Sequence, residues 1–204
     1  VAKLAPRIGH VRLSTPVLGI ARDLSRDAGF GAVHGGRVAV RTRDGVEWFD
    51  EAVLAVHAPQ ALAMLTDAGA DEHDTLGAIG YQRNEAVLHT DERLLPRRRL
   101  AWAAWNYQRD VVAGANGQNV CLHYLLNQLQ PLPWKQPVIV SLNPLHEPRR
   151  GTVLRRIAYA HPVFDTAAIA AQGRLAELQG RSHVWFCGAW TGYGFHEDGL
   201  KSGQ

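Results

Sequence analysis

Residues 184–204, which read VWFCGAWTGYGFHEDGLKSGQ, decide the fold assignment of this chain. The apolar run that ends at Gly188 predicts a buried strand, followed by a glycine-rich loop and a polar helix start. Asp198 is the predicted N-cap, because its carboxylate can accept open amides of the first turn. Gly199 leaves bare backbone where a flat ligand can approach closely. The pattern alone indicates either a ligand at a helix N-terminus or an ordinary connection whose glycines serve turn geometry.

The residue types at this end of the chain are more specific than the pattern. Two blocks stand out, WFCGA at 185–189 and GFHEDGLKSG at 194–203. Together they resemble the C-terminal FAD-binding segment of the flavin amine oxidase and phytoene desaturase superfamily. They look most similar to a bacterial branch described only as NAD/FAD-binding proteins. The resemblance extends from Val11 to Gly203, with its specificity concentrated in these two blocks.

This resemblance implies an α/β protein, α+β overall. Part of a Rossmann-like domain that binds FAD or NAD(P) would carry an inserted, mostly antiparallel substrate-domain sheet. FAD is the implied cofactor, and the backbone amide of Val17 would contact its adenine. The cofactor-binding residues implied in this way are Val17, Gly188, Ala189, Asp198, Gly199 and Leu200.

The chain departs from the superfamily pattern at two points. Many members have an acidic residue after the glycine of the strand end, to hold the ribityl chain, whereas this chain has Ala189. The motif Gly-x-Gly-x-x-Gly, which binds the FAD pyrophosphate at a helix start, does not occur in the sequence. We therefore expect a C-terminal fragment of a longer protein, whose N-terminal part would be a partner of this one. The fragment alone is not expected to hold FAD tightly.

The expected domain order is discontinuous. Residues 1–57 would form part of the FAD-binding domain, residues 58–164 the substrate domain, and residues 165–204 the C-terminal return to the FAD-binding domain. Five strands without long helices between them indicate a mostly antiparallel sheet in the middle part.

Periodicity and turn residues predict the individual elements. The predicted strands are 10–17, 37–42, 46–49, 51–57, 85–88, 101–107, 120–125, 138–142, 153–159 and 184–188. The predicted helices are 58–66, 71–79, 165–178 and one that starts at Asp198. We expect a hairpin turn at Asp44-Gly45, a proline in the first turn of the first helix and an N-cap at Asp165.

Aromatic residues suggest where a substrate would bind. Trp105 and Tyr107 share one face of a predicted strand and are candidates for a hydrophobic pocket, although the pattern favours the alternative that they are simply core. Trp190, Tyr193 and His196 in the glycine-rich loop are candidates for a substrate-facing wall. His196 is either a base or a hydrogen-bonded structural histidine. No catalytic residue is assigned, and we expect a lipophilic small-molecule substrate.

The resemblance implies an FAD-dependent oxidoreductase of the amine oxidase or desaturase type, in which a hydride passes from the substrate to flavin N5. Negative charge then gathers near N1 and O2 of the flavin. A helix start near Gly199 and Leu200 would stabilise this charge by roughly 0.3–2 kcal/mol. A flavin-dependent isomerase, or a flavin-fold scaffold without net oxidation, stays open as an alternative.

Composition argues against several other classes. A hydrophobic content of 46% with 20% charged residues is typical of a globular protein and not of a disordered one. Ten histidines contain no zinc-binding spacing, so no metal is expected. The arginine runs at 97–99, 149–150 and 155–156 are short and match no nucleic-acid-binding motif, so we expect no nucleic-acid partner.

The sequence also bears on location. No run of 18 or more apolar residues occurs, which predicts that no helix spans a membrane. Cys121 and Cys187 each stand alone in an apolar run, which is typical of buried free thiols in a reducing compartment. We expect a cytoplasmic protein, and a position peripheral to a membrane stays open.

Overall fold

The computed structural model describes residues 5–22, 37–109 and 120–204. Within these ranges the strands are β1 Gly19–Arg22, β2 Val38–Thr42, β3 Gly45–Phe49, β4 Ala52–Leu54, β5 Tyr81–His89, β6 Trp105–Arg109, β7 Val120–Leu125, β8 Ile139–Leu142, β9 Val153–Pro162 and β10 Val184–Phe186. The α-helices are α1 Ala58–Met64, α2 Ala70–Leu76, α3 Leu126–Leu129, α4 Thr166–Arg174 and α5 His196–Ser202. The expected mixed α/β fold is confirmed.

The chain forms two compact units. Unit 1 comprises Val1–Gly80 and Pro162–Gln204, and unit 2 comprises Tyr81–His161. Unit 1 is therefore discontinuous in sequence, with unit 2 inserted between its two segments. The units divide at 80/81 and 161/162, whereas the domain boundaries predicted from the sequence lie at 57/58 and 164/165.

Unit 1 contains a parallel strand pair and an antiparallel sheet. Strand β10 pairs in parallel with β4, so that Phe186 lies opposite Leu54. Both of these side chains are buried, whereas Val53 and Trp185 on the other face of the pair are 63% and 43% exposed. The expectation that the strand at 51–57 is buried on both faces is therefore wrong. The antiparallel sheet has the order β1-β2-β3. Its hairpin joins β2 to β3 with Thr42 opposite Gly45, which places the turn at residues 43–44, one residue before the predicted position.

The predicted strand at residues 10–17 is wrong. These residues form no strand, and Ser14 has a φ of 56°, which interrupts any extended segment. Pairing begins only where the amide of Leu18 donates to the carbonyl of Arg41 at 2.7 Å. The alternation in this stretch has no buried side, because Leu13 is 82% exposed. Alternating polarity alone does not produce a strand here, because the apolar side chains have no surface of the protein to pack against.

The helices of unit 1 follow their predicted signals closely. Pro59 lies in the first turn of α1, where it costs no hydrogen bond. Asp165 is the N-cap of α4, and its Oδ1 accepts the amide of Ala168 at 2.8 Å. Helix α4 ends at Arg174 and continues as a 3-10 turn to Glu177, so the predicted helix at 165–178 is regular only in its first part.

Unit 2 contains a five-stranded sheet in the order β6-β7-β8-β5-β9. The five predicted strands are all present, and the β6–β7, β7–β8 and β5–β8 pairs are antiparallel as expected. Along β7 the side chains of Cys121, His123 and Leu125 are buried, while those of Leu122 and Tyr124 are more exposed. The sheet therefore has one covered face and one open face.

A buried ion pair connects β1 with α2 in unit 1. The guanidinium of Arg22 donates to Glu72 at 2.6 and 3.0 Å, and the side chains of both residues are 7% exposed. Asp67 supplies a second carboxylate to the same guanidinium at 3.1 Å. Oε2 of Glu72 also accepts the amide of Gly69 at the start of α2. One carboxylate therefore neutralises a buried charge and caps a helix.

The substitution Glu72→Gln is expected to lower the free energy of unfolding by about 2 kcal/mol, because it removes the more buried of the two carboxylates that neutralise Arg22 and leaves only Asp67. Glutamine can still accept the Gly69 amide, so the loss reports the missing charge. Urea denaturation measures the effect. The matched control is Glu47→Gln, which breaks the exposed pair with Arg12 and is expected to cost far less. Equal losses in the two variants would contradict this account of Glu72.

Candidate functional site

The loop at residues 187–195 follows β10 in unit 1 and is anchored from within. Trp190 is 2% exposed, and its Nε1 donates to the carbonyl of Val56 at 2.9 Å. From α4, Nε2 of Gln172 donates to the carbonyls of Trp190 and Gly192 at 2.8 and 2.7 Å. These bonds hold the loop against the end of β4. Trp190, a candidate for the substrate-facing wall, instead points into unit 1.

Gly188 is required where the strand enters this loop. Its φ is 149°, and a Cβ there would lie 2.7 Å from Nε1 of Trp190. Its amide donates to Oγ of Ser202 in α5 at 2.9 Å. Glycine therefore permits both the backbone conformation and the close packing of the indole ring. The serine attaches the end of β10 to the helix.

The prediction that Asp198 is the N-cap of the last helix is wrong. Helix α5 begins at His196, with Phe195 as the N-cap residue and Asp198 in the third helical position. Oδ2 of Asp198 accepts the amides of Phe195 at 2.9 Å and Tyr193 at 3.1 Å. A carboxylate at the third position can bond back to the N-cap amide, which is the second half of a capping box. Asp198 therefore stabilises the helix start without standing at its cap.

The backbone amides that are available to a ligand precede the helix start that was predicted near Gly199 and Leu200. The amide of Gly199 donates to the carbonyl of Phe195 at 3.2 Å and is used within the helix. By contrast, no described residue accepts a hydrogen bond from the amides of Ala189, His196 or Glu197. These three donors lie at the beginnings of the two turns that follow β10. A ligand edge rich in hydrogen-bond acceptors fits donors of this kind.

Gly199 itself lies against the loop. A Cβ built on it would be 3.5 Å from the backbone nitrogen of Ala189, which is an ordinary contact. Gly188, Ala189, Asp198 and Gly199 are thus brought together as the sequence predicts. Leu200 is 63% exposed on the next position of α5.

Other predicted residues of unit 1 lie apart from this cluster. Val17 lines a separate apolar cavity of 470 Å³ beside β4, together with Val40, Phe49 and Val53. Tyr193 is 75% exposed, and His196 is also exposed at the start of α5. The structure therefore leaves these two loop side chains accessible, unlike Trp190.

The open face of the unit 2 sheet is apolar and aromatic. Trp105 and Tyr107 are 56% and 66% exposed, so the alternative that they are simply core is wrong. The rings of Trp105 and Tyr124 meet edge to face, with centroids 5.4 Å apart. An open groove of 880 Å³ runs over part of this face and is lined by Gln82, Arg83, Asn84, Glu85, Tyr107, Val120, Leu122, Leu142, Asn143, Pro144 and Leu145. Its floor is leucine and valine, and its rim is polar.

The covered face of the same sheet contains a series of hydrogen-bonded polar side chains that the sequence did not indicate. Ser141 Oγ lies 2.6 Å from Nε2 of His89 and 2.6 Å from Nδ1 of His123. The three residues are at most 1% exposed. On the other side of its ring, His123 Nε2 lies 3.1 Å from Oε1 of Gln108 and 3.4 Å from Sγ of Cys121. The contributing residues come from strands β5, β6, β7 and β8.

One backbone amide sets the direction of the hydrogen bonds that connect His89, Ser141, His123 and Gln108. The amide of Asp91 donates to Nδ1 of His89, so the proton of that ring is on Nε2 and is donated to Ser141. The serine hydroxyl then donates to Nδ1 of His123. His123 in turn carries its proton on Nε2, which it donates to Oε1 of Gln108. Both histidines are therefore neutral Nε2–H tautomers.

Burial keeps these groups uncharged. It lowers the pKa of His123 to about 4 and also lowers the pKa of His89. Burial raises the pKa of the Cys121 thiol to about 11, so this cysteine is a protonated thiol at neutral pH. The expectation of a buried free thiol is met at Cys121, which is fully buried, and Cys187 is half-buried.

Residues 5–22, 37–109 and 120–204 contain no group of three or more His, Cys, Asp or Glu side chains placed to hold a metal ion. In the same part of the chain, no helix has both the length and the apolar character needed to span a membrane.

Comparison with known proteins bears on the fold. No family model and no curated protein matches the chain. Solved structures do match. Among them are the CLA-producing fatty acid isomerase from P. acnes (TM-score 0.55, 15% identity, 92% of this chain and 45% of that one) and a putative protoporphyrinogen oxidase from Exiguobacterium sp. 255-15 (TM-score 0.51, 16% identity, 95% and 45%). This chain shares their fold.

The two structures are named as a fatty acid isomerase and a putative protoporphyrinogen oxidase. The chain spans about 45% of the length of each of these proteins. The identity of 15–16% is low enough that the similarity concerns backbone architecture alone.

The buried histidines predict a loss of stability in acid. The unfolded chain binds a proton on His123 near pH 6.5, whereas the folded chain does so only at about pH 4. The free energy of unfolding is therefore highest above pH 6.5. It falls as the pH decreases from 6.5 to about 4, by about 3 kcal/mol at most. Urea denaturation at a series of pH values measures the slope. The slope should shrink in His123→Gln and persist in His146→Gln, an exposed histidine.

A direct measurement covers the case in which His123→Gln does not fold. Nitrogen-15 NMR of the histidine rings distinguishes the two neutral tautomers and the charged form. At neutral pH both His89 and His123 should show a protonated Nε2 and an unprotonated Nδ1. A protonated Nδ1 on His123 would contradict the hydrogen-bond directions derived above.

Proposed function

We propose that the intact protein is an FAD-dependent oxidoreductase of the amine oxidase or desaturase type that acts on a lipophilic substrate. The observation that carries this proposal is the fold that 92–95% of the chain shares with a fatty acid isomerase and a putative protoporphyrinogen oxidase. The residue blocks at 185–189 and 194–203 support it, because they resemble an FAD-binding segment and lie at the carboxyl end of a parallel strand pair.

The chain's own contribution to cofactor binding is largely backbone. The amides of Ala189, His196 and Glu197 are available to hold the acceptor edge of the ring system, and Gly188 and Gly199 let the loop and helix pack closely. Bound FAD would supply the hydride acceptor for substrate oxidation. Asp198, Leu200 and Val17 stay predictions as cofactor contacts.

The open face of the unit 2 sheet supports a lipophilic substrate. Trp105, Tyr107 and the leucines beside them offer apolar surface to a bound molecule. Tyr193 and His196 stay candidates for further substrate contacts because they are exposed. No described side chain is assigned as a catalytic acid or base.

A flavin-dependent isomerase without net oxidation is the second candidate. It is favoured by one specific observation, the structural similarity to a protein named as a fatty acid isomerase. The two candidates differ in their electron balance. An oxidoreductase bleaches its flavin when substrate is added without an electron acceptor, whereas an isomerase returns it to the starting spectrum.

The remaining features of the intact protein belong to the same proposal. On the sequence features we also propose domains at 1–57, 58–164 and 165–204 and an N-terminal partner segment of the same polypeptide. We further propose a cytoplasmic location and no nucleic-acid partner. A mobility-shift assay at several salt concentrations tests the last of these.

Absorption spectra test the cofactor assignment. The full-length parent protein, purified with and without added FAD, is compared with this 204-residue chain. The parent should carry a flavin spectrum and the chain alone should not, because the pyrophosphate-binding loop is not part of its sequence. A parent protein that stays colourless after incubation with FAD would overturn the flavoenzyme proposal.

The substitution Gly199→Ala in the parent protein tests the predicted close approach of the flavin. The structure accommodates the added methyl group, and a glycine-to-alanine change inside a helix adds up to about 1 kcal/mol of stability. FAD affinity should nevertheless fall about tenfold, equivalent to ~1.4 kcal/mol. Equilibrium dialysis measures it. Gly173→Ala in α4 is the matched control, and a similar loss of FAD in both variants would contradict a role for Gly199.

A further inference from the structure

A second cavity lies within unit 2, on the covered side of the sheet. It has a volume of 300 Å³ and is lined by Arg93, Leu94, Leu95, Pro96, Arg97, Asn106, Tyr107, Gln108, His123 and His146. No aspartate or glutamate is among these ten lining residues. The lining is therefore cationic and rich in hydrogen-bond donors at one side, and apolar at the side formed by residues 94–96.

Two arginines line this cavity, and only one of them is neutralised by a neighbouring acid: Arg93 is paired with Asp91, whereas Arg97 is not paired with an acid. Within the described ranges Arg97 and His146 have no hydrogen-bond or ion-pair partner. The three acids nearest in sequence already bind other arginines. These pairs are Asp91 with Arg93, Glu92 with Arg99, and Glu147 with Arg156. An arginine that lines a cavity without a carboxylate partner favours an anionic ligand.

The buried histidine chain adds an oriented donor. Because His123 donates its Nε2 proton to Oε1 of Gln108, the oxygen of that amide must face His123. The NH₂ group of Gln108 is then directed away from His123, and no described residue accepts from it. The side-chain amide of Asn106 is already used, because its Oδ1 accepts from the amide of Ala103 and its Nδ2 donates to the carbonyl of Ala103. Gln108 is thus held as a donor by hydrogen bonds that begin at the backbone of Asp91.

We propose that this cavity binds a carboxylate attached to a short apolar chain. Arg97 and the NH₂ of Gln108 would bind the carboxylate oxygens, and Leu94, Leu95 and Pro96 would contact the apolar part. The volume is at the small end of the range for small-molecule sites, about 300–1,000 Å³. The site lies wholly in unit 2 and does not depend on the flavin assignment.

Isothermal titration calorimetry of the 204-residue chain with three probes tests the ligand class. Octanoate, octyl phosphate and octanol share a tail and differ in the head group. Octanoate should bind at least about tenfold more tightly than octanol, since a charge-assisted hydrogen bond contributes roughly 1.5–3 kcal/mol. Tighter binding of octyl phosphate would overturn the carboxylate assignment, and equal binding of octanol would overturn an anion site.

Two variants locate the site. Arg97→Gln removes the unpaired charge and should weaken octanoate binding about tenfold, whereas the matched control Arg98→Gln, outside the lining, should not. Gln108→Glu keeps an oxygen for His123 Nε2–H but replaces the NH₂ donor with negative charge. It should abolish octanoate binding while the histidine nitrogen-15 spectrum keeps both Nε2–H tautomers. Undiminished binding in Gln108→Glu, or equal losses in Arg97→Gln and Arg98→Gln, would overturn the proposal.

Discussion

Unit 1 depends on the parallel pairing of β4 with β10, which joins distant parts of the chain. Beyond the strands, Trp190 donates to the carbonyl of Val56, 134 residues earlier. Each strand has only three residues, so side chains supplement the pairing. Gln179 both accepts from the amide of Phe186 and donates to its carbonyl, at 2.8 and 2.7 Å. This one amide side chain takes the place of a further strand at the edge of β10. The loop that follows β10 is positioned by these bonds.

Unit 2 is organised by a buried polar chain instead of an apolar core alone. Burying two histidines and a serine is costly unless every donor and acceptor is paired. Here the backbone amide of Asp91 begins a series of bonds in which each group donates once, and among the described residues no buried side-chain nitrogen or oxygen lacks a partner. The same series ends at Gln108, at the wall of a cationic cavity. Stability and ligand recognition are therefore connected through one set of hydrogen bonds.

Much of the fold could be predicted from local pattern. The strand β7 has the bounds that were predicted, and α1 and α4 begin where Pro59 and Asp165 indicate, because caps and periodicity act over a few residues. Residues 10–17 have a strand-like alternation but no partner surface, so they form none. For the candidate site, Gly188, Ala189 and Gly199 lie close together in the structure and stay predictions as cofactor contacts, while the predicted N-cap position of Asp198 is wrong. A carboxylate suits a helix start either at the N-cap or at the third helical position, and the sequence does not distinguish these two places.

The sequence by itself determined the order of the elements, the antiparallel character of unit 2 and the glycine-rich connection after β10. These properties depend on residues close together in the chain, whose preferences act locally. Only the tertiary structure decided that Trp190 points inward, that Trp105 and Tyr107 are exposed, and that His89, His123 and Ser141 meet. His89 and Ser141 are 52 residues apart and become neighbours through strand register, and register depends on which faces of the sheet are covered.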